Sequence, residues 1–328
     1  MTIKFNNVYL ENVSTVAGPF VIEGPLKDNF DKKFTDFYDG EKTFEKCEMK
    51  ELKESIKILL DKTKYNEEDI SFGISADLMN QLTISNFVYS KLNIPFLGIY
   101  SACASVCEEI LIASSILENE KNKKAICTTS SHNMTSERQF RNPVEYGAPK
   151  PKTTTFTVTG AASLMLTNAK TDIKVTSATI GKVIDMGVDN VFDMGAVMSP
   201  SAAYTLNEHL KQTKTKVSDY DLILTGDLGV YGKDIFKEIC EKEYNIKLDK
   251  NYDDTATMIY DYKENIYAGG SGPACMPLVV YSSIIPKMKQ RIIKKVLLIA
   301  TGALMSPTTC NQKFSIPSVS HAVCLEVI

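Results

Sequence analysis

The sequence predicts an α/β protein built from two similar halves, and three observations carry that reading. Short apolar strands alternate with amphipathic helices along the chain, the order that lays helices over both faces of a parallel sheet. Segments of the first half return in the second in the same order. A cysteine, Cys103, stands where a short apolar run gives way to a helical period.

Residues 1–40 carry Gly18-Pro19 and Gly24-Pro25 among scattered Asp and Lys, and read as short extended pieces and turns. An amphipathic helix is predicted over 43–62. Phe44, Cys47, Leu52, Ile56, Leu59 and Leu60 form its buried stripe, with lysines and glutamates on the other face. A strand at 69–75 and a helix at 79–92 lead to Phe96–Tyr100, which reads as a buried strand. Ser101 and Ala102 turn the chain. From Cys103 onwards, Val106, Ile110, Leu111, Ala113 and Leu117 recur at helical spacing. Cys103 therefore falls in the first turn of a helix, where unpaired N–H groups and the positive end of the dipole favour a thiolate. A strand–turn–Cys–helix unit presents a nucleophile at the end of a sheet. The same position also suits a small buried hydrophobe.

A strand at 124–129 is followed by a polar loop from Ser130 to about Lys152, a length usually tied to function. Strand residues return at 155–167 and 173–180. A helix is expected over 199–212, with Ser199 and Pro200 as N-cap and N1. Then come a strand at 221–225, a helix at 233–242, a helix at 273–290 after a Gly-rich turn, and strands at 295–301 and 322–327.

The repeats keep their order. Glu68-Asp-Ile-Ser-Phe-Gly-Ile-Ser-Ala-Asp-Leu returns as Tyr220-Asp-Leu-Ile-Leu-Thr-Gly-Asp-Leu, and Ser101-Ala-Cys-Ala-Ser as Gly272-Pro-Ala-Cys-Met. Lys123-Lys-Ala-Ile-Cys-Thr-Thr returns as Lys294-Lys-Val-Leu-Leu-Ile-Ala-Thr, and Gly160-Ala-Ala-Ser as His321-Ala-Val-Cys. A separation of about 150–170 residues throughout marks a duplicated unit, with halves at 1–169 and 170–328.

Composition narrows the function. The chain has 328 residues, 44% hydrophobic and 23% charged, with a formal charge of −3. No overall basic field results, and nucleic acid is not expected as a partner. No secretory signal is visible, and apolar runs such as 296–300 are too short to span a bilayer. The expectation is a soluble chain, cytoplasmic at synthesis. Eight cysteines are scattered without a CxxC pair, which suits reduced thiols and gives no zinc pattern, so no metal site is expected.

A doubled α/β chain with a cysteine opening the first central helix resembles the thiolase superfamily. That resemblance implies a five-layered αβαβα sandwich of two similar halves. Within that superfamily the chain looks like the stage V sporulation AD family of spore-forming bacteria. Gly24-Pro-Leu, Asp77-Leu-Met-Asn-Gln, Tyr100-Ser-Ala-Cys-Ala-Ser and Thr129-Ser-Ser-His-Asn-Met-Thr-Ser-Glu-Arg-Gln-Phe-Arg-Asn-Pro carry the match in the first half. Phe192-Asp-Met-Gly, Asp221-Leu-Ile-Leu-Thr-Gly-Asp-Leu, Tyr267-Ala-Gly-Gly-Ser-Gly and Ala300-Thr-Gly-Ala-Leu-Met-Ser-Pro carry it in the second. The resemblance implies binding of dipicolinic acid, accompanied by calcium, for uptake into the developing spore. It also implies other stage V sporulation A proteins as partners, a place peripheral to the forespore or spore inner membrane, and no other cofactor. Superfamily members are dimers joined along the edge of the first-half sheet, which here is expected near 124–129.

The departures from the pattern matter equally. Condensing enzymes of the superfamily pair the cysteine with a second-half His and a further His or Asn. Just after 221–225 this chain reads Gly226-Asp-Leu-Gly-Val-Tyr-Gly, and Tyr267–Cys275 supplies Ser271 and Cys275 but neither His nor Asn. Loss of an oxyanion donor costs on the order of 3 kcal/mol of transition-state stabilisation. Two readings follow. One is a dipicolinate-binding protein that performs no catalysis. The other is an acyltransferase or 3-ketoacyl synthase-type condensing enzyme with Cys103 as its catalytic residue.

The candidate ligand-binding residues are Cys103, His132, Arg138, Arg141, Gly270, Ser271 and His321. His132 lies on the polar loop, as a pocket residue or an ordinary loop histidine. Arg138 and Arg141, three apart, suit bidentate binding of a pyridine dicarboxylate, or salt bridges with Glu137 and Glu145. Gly270 and Ser271 precede a helix and would offer N–H groups to an anion, or mark a close backbone approach. His321 opens the last strand and would stand in for the missing base. His209 is expected on the surface, and Asp77 and Asp227, at equivalent places in the two halves, as helix N-caps.

Overall fold

The computed structural model describes residues 1–140, 150–261 and 266–328. The first half runs β1 (Thr2–Lys4), β2 (Tyr9–Ala17), β3 (Lys32–Lys33), α1 (Phe44–Thr63), β4 (Phe72–Ala76), α2 (Thr83–Tyr89) and β5 (Phe96–Gly98). It continues with α3 (Ser105–Leu117), β6 (Lys124–Ser131), α4 (Asn133–Phe140), β7 (Phe156–Thr157) and β8 (Gly160–Thr167). The second half runs β9 (Ile173–Thr179), α5 (Met194–Thr213), β10 (Leu222–Thr225), α6 (Gly229–Tyr244), β11 (Tyr252–Asp254) and β12 (Gly270–Ser271). There follow α7 (Cys275–Val279), a π-helical turn (Val280–Ile284), α8 (Ile285–Lys289), β13 (Lys295–Ala303), α9 (Pro307–Asn311) and β14 (Ser318–Val327).

The strand order β11-β10-β13-β14-β9-β2-β8-β6-β4-β5 reads the same from either end once the halves are matched. In each half the first strand pairs antiparallel with the last, the last antiparallel with the fourth, and the inner pairs are parallel. The sheet is therefore mixed, not purely parallel as the strand–helix alternation suggested. Its two halves meet through Tyr9↔Lys174 and Leu10↔Ile173.

The layers follow from which face each strand residue buries. α1 and α2 cover the outer face of the first-half strands, where Leu52, Ile56, Ile84 and Val88 pack on Ile126 and Met165. α5 and α6 cover the outer face of the second, with Leu206 and Phe236 on Ile223, Leu297 and Ile299. The neighbouring residues Cys127, Leu164, Leu298 and Val323 point the other way, into a central core shared with Ile110 and Leu117 of α3 and Leu278 of α7. Successive strand side chains face opposite sides, so strands buried on both faces read as continuous apolar runs. The outcome is the thiolase-like αβαβα fold.

Several elements differ from expectation. The irregular N-terminal region contains β2, a nine-residue strand at the centre of the molecule. Its polar residues are satisfied there: Ser14 Oγ donates to the Ser55 carbonyl at 2.6 Å, and the Thr15 N–H donates to Asp31 at 2.9 Å. Phe96–Tyr100 is not a buried strand. β5 is an edge strand, with Leu97 45% and Tyr100 43% exposed. The 79–92 helix is confined to α2, because Gln81 and Leu82 adopt φ of 55° and 54°. Within the polar segment expected as a loop, Asn133–Phe140 fold as α4, while residues 141–149 lie outside the described residues. α5 starts at its Asp193 N-cap, which accepts the Ala196 N–H, so Pro200 lies inside the helix and not at N1. β6 is flanked by β4 and β8 and so cannot be the sheet edge.

Candidate functional site

The carboxyl ends of the parallel strands converge on one cavity, the usual place for a ligand site in α/β sheets. Cys103 sits there, half-buried, in a turn of 3-10 helix between β5 and α3. Ala102 just before it has φ of 48°, a left-handed conformation costly for a residue with a Cβ. The turn is held by Ser105 Oγ, which donates to the Ala102 carbonyl at 2.7 Å and accepts the Ser101 N–H at 3.1 Å. Gly302 of β13 packs directly beneath, where a Cβ would fall 2.1 Å from the Ser101 oxygen.

The second half answers with Asp227, buried just past β10 with φ of 64°. Its Oδ2 accepts the Gly272 N–H at 2.7 Å. Its Oδ1 has no nitrogen or oxygen donor, and the thiols of Cys103 and Cys275 are the donors beside the carboxyl. Burial pushes Asp227 up to about 8, against the thiols and the Gly272 N–H, which favour the carboxylate. Cys275, buried at the start of α7, is raised first by desolvation and then by Asp227. Asp227 is thus not the N-cap of α6. That work falls to Asp254 on β11, which accepts the Leu228 and Gly229 N–H groups at 3.3 and 3.0 Å. In the first half Asp77 is not the N-cap either, a position held by Leu82; from outside the helix it accepts the Ser85 N–H in the first turn of α2 at 2.8 Å, and the Met79 N–H at 2.9 Å.

The cavity is narrow, with a volume of about 50 Å³ accessible to water. Leu78, Met194, Met198 and Met305 make its aliphatic wall, and Tyr100 and Phe140 its aromatic faces. Its polar lining is neutral: the Cys103 thiol, the Ser136, Thr157 and Ser271 side chains, and the backbone at Gly272. The pairing of β7 with β12 sets Thr157 beside Ser271. Ser136 Oγ is buried without a hydrogen-bond partner. Among the described residues no lysine, arginine or histidine lines this cavity. A wider surface groove at the C-terminal ends of α5 and α6, rich in lysines, holds none of the expected site residues.

Of those residues, Cys103 and Ser271 line the cavity, and Gly270 adjoins it in β12. His132 is buried outside it. Its Nδ1 accepts the Met134 N–H at 3.2 Å and its Nε2 donates to the Phe37 carbonyl at 2.9 Å. Burial pushes it down to about 4. Arg138 is half exposed and ion-paired with Glu45, and Glu137 pairs with Lys150 at 2.5 Å. Arg141 and Glu145 lie outside the described residues. His321 also stands away from the cavity. Its Nδ1 accepts the Gly181 N–H at 3.2 Å, and burial lowers its pKa against the opposing pull of Glu108. His209 is buried rather than exposed, bonded to Thr179 Oγ1 at 2.7 Å and the Tyr220 hydroxyl at 3.0 Å.

Sequence reasoning missed Asp227 as a partner of the thiols, and it missed Ser136 and Thr157. The repeat flagged Asp227 by matching it to Asp77, but only the approach of α7 shows what it meets. The family model for stage V sporulation protein AD matches residues 1–326. Stage V sporulation protein AD of Bacillus subtilis is 40% identical over 319 residues, 97% of this chain and 94% of that protein. Among solved structures, an OleA variant from Xanthomonas campestris superposes with a TM-score of 0.63 at 14% identity, covering 99% of both chains. The 3-oxoacyl-[acyl-carrier-protein] synthase III of Aquifex aeolicus gives 0.58 at 12% identity, over 97% of this chain and 99% of that one.

Proposed function

Because this chain belongs to the stage V sporulation protein AD family, we propose that its Cys103 cavity binds dipicolinic acid as the calcium complex, for uptake into the developing spore, and does not transform it. The observation that carries this reading is the lining: aromatic faces at Tyr100 and Phe140 with neutral hydroxyl and thiol donors between them. A flat pyridine ring packs on such faces. A bare dicarboxylate dianion would lose its hydration there with no cationic partner among the described residues. Calcium carried in with the ligand removes that penalty, and the unpartnered Ser136 hydroxyl offers a hydrogen bond.

Asp227 opposes catalysis by Cys103. With its proton held up to about 8, Asp227 is protonated in most molecules near neutrality and takes the Cys103 proton only in the ionised minority, and no imidazole lines the cavity in its place. The second reading, a condensing enzyme using Cys103, draws on the strained Ala102 turn, since strain of this kind gathers at active sites. Calorimetric titration with dipicolinate, with and without calcium, separates the two. Binding heat that requires calcium supports the first reading, and no heat at millimolar ligand sinks it. A Cys103 adduct seen by mass spectrometry after incubation with an acyl-CoA would establish the second.

The proposal extends to partners. Other stage V sporulation A proteins would bring the protein to the spore membrane, since no helix among the described residues is long and apolar enough to cross one. A second copy would pair along β5, whose outer edge is open and whose neighbours Phe87, Leu97 and Tyr100 are exposed.

A further inference from the structure

Behind the α4 wall of the cavity, three side chains distant in sequence come together. Cys47 and Glu51, one turn apart on α1, face His132 at the junction of β6 and α4. The Cys47 Sγ, a Glu51 carboxyl oxygen and a His132 ring nitrogen lie within 4.8 Å of one another, and all three residues are buried. The thiol donates to Glu51 Oε1 at 3.2 Å, while Glu51 Oε2 is buried without a partner. The groups acting on the Glu51 carboxyl are Glu48, Cys47 and Asp39, none of them cationic. A thiol, a carboxyl and an imidazole share this buried compartment, and the cation acting on Cys47, Lys50, is ion-paired with Asp39 at 2.9 Å.

We propose that Cys47, Glu51 and His132 form a binding site for one divalent cation of the zinc class. Sulfur, imidazole nitrogen and carboxylate oxygen are the donors such borderline ions take, and a bidentate Glu51 would bring the unpartnered Oε2 in as a fourth. The histidine is prepared for the role. Donation from Nε2 to the Phe37 carbonyl fixes the tautomer, the usual outer-shell arrangement of a metal-bound histidine. The Nδ1 lone pair now accepts the Met134 N–H at 3.2 Å, a hydrogen bond that coordination to the ion would replace. Bond lengths of about 2.0–2.3 Å require the donors to close in slightly, a matter of side-chain rotation.

On binding, the Cys47 thiol and the Glu51 carboxyl each release one proton to solvent as the S–metal and O–metal bonds form. Thiolate, carboxylate and dication then sum to zero charge, which a buried site accommodates. Affinity rises with pH because those two protons must leave. The bound ion would tie α1 to the start of α4, the helix whose Ser136 and Phe140 line the Cys103 cavity. The site stands independently of what that cavity binds.

Zinc in the purified full-length protein, measured by plasma mass spectrometry, should be close to one ion per chain. Cobalt(II) added after chelation should give a near-ultraviolet thiolate-to-cobalt band that Cys103→Ala retains. Cys47→Ala and Glu51→Gln should each lower metal content at least tenfold and remove the band, with circular dichroism reporting whether each variant folds. A metal-free protein that takes up neither ion overturns the proposal. So does a band that survives Cys47→Ala or disappears with Cys103→Ala.

Discussion

Asp227 links folding and pH through a carboxyl closed in between two thiols. Above its ordinary value of 3.8 the unfolded chain gives up this proton, whereas the folded chain keeps it up to about 8. The folded state therefore binds more protons across that window, and stability falls as pH rises, by about 1 kcal/mol per pH unit. His209 acts in the opposite sense. Its folded value of about 4 lies below the ordinary 6.5, so stability is lost as pH falls from 6.5 towards 4. The Asp227 limb is accordingly read between about 6.5 and 8. Melting temperatures over that range should decline in the wild type and decline less steeply in Asp227→Asn, where Glu48, also pushed up to about 8, still acts in the same sense; equal slopes would refute the assignment. Ser136 makes the complementary case. Its hydroxyl has no partner, so Ser136→Ala should leave the denaturation midpoint unchanged or raised. Calcium dipicolinate affinity should drop about tenfold, the worth of one hydrogen bond of roughly 1.4 kcal/mol, as titration calorimetry would show.

At the scale of elements, close backbone approach sets the site. α5 and α6 cross at Gly195 and Gly232, where a Cβ on either would come within 2.7 or 2.5 Å of the other's Cα. Gly232→Ala should cost about 1–3 kcal/mol through overpacking, read as a lower urea midpoint, and push away the α5 face that carries Met194 and Met198. Gly302→Ala acts on the Cys103 turn itself, because the new Cβ would strike the Ser101 oxygen. A similar loss of stability is expected, together with a changed rate of Cys103 alkylation by iodoacetamide. An unaltered rate would show that the turn does not depend on β13. At the far side of α1 the Thr43 N-cap accepts the Lys46 N–H at 3.3 Å, and Thr43→Ala should cost about 1 kcal/mol.

Across the whole molecule, one topology is used twice and has diverged where it matters. Asp77 and Asp227 follow equivalent strands, yet the first accepts an N–H from the first turn of α2 and the second meets two thiols. The outer ends of the sheet differ in use as well. β5 leaves apolar side chains in water, and pairing of two copies there predicts a dimer by light scattering that Leu97→Glu converts to monomer. A monomeric wild type would remove that part of the proposal.

The strand–helix alternation, the doubled organisation and the turn that exposes Cys103 were legible in the sequence, because each is written in local periodicity and spacing. Burial of the polar groups was not. Glu48 and Glu51 read as the solvated face of α1, and His209 as a surface residue, yet all three are closed in by strands or helices from elsewhere in the chain. β2 escaped notice for the same reason, since its polar residues are satisfied only by partners such as Ser55 and Asp31. Sequence settles which face of an element is apolar. Only the packing of layers decides which carboxyls lose their water, and with it what the thiols at Cys103 and Cys47 have beside them.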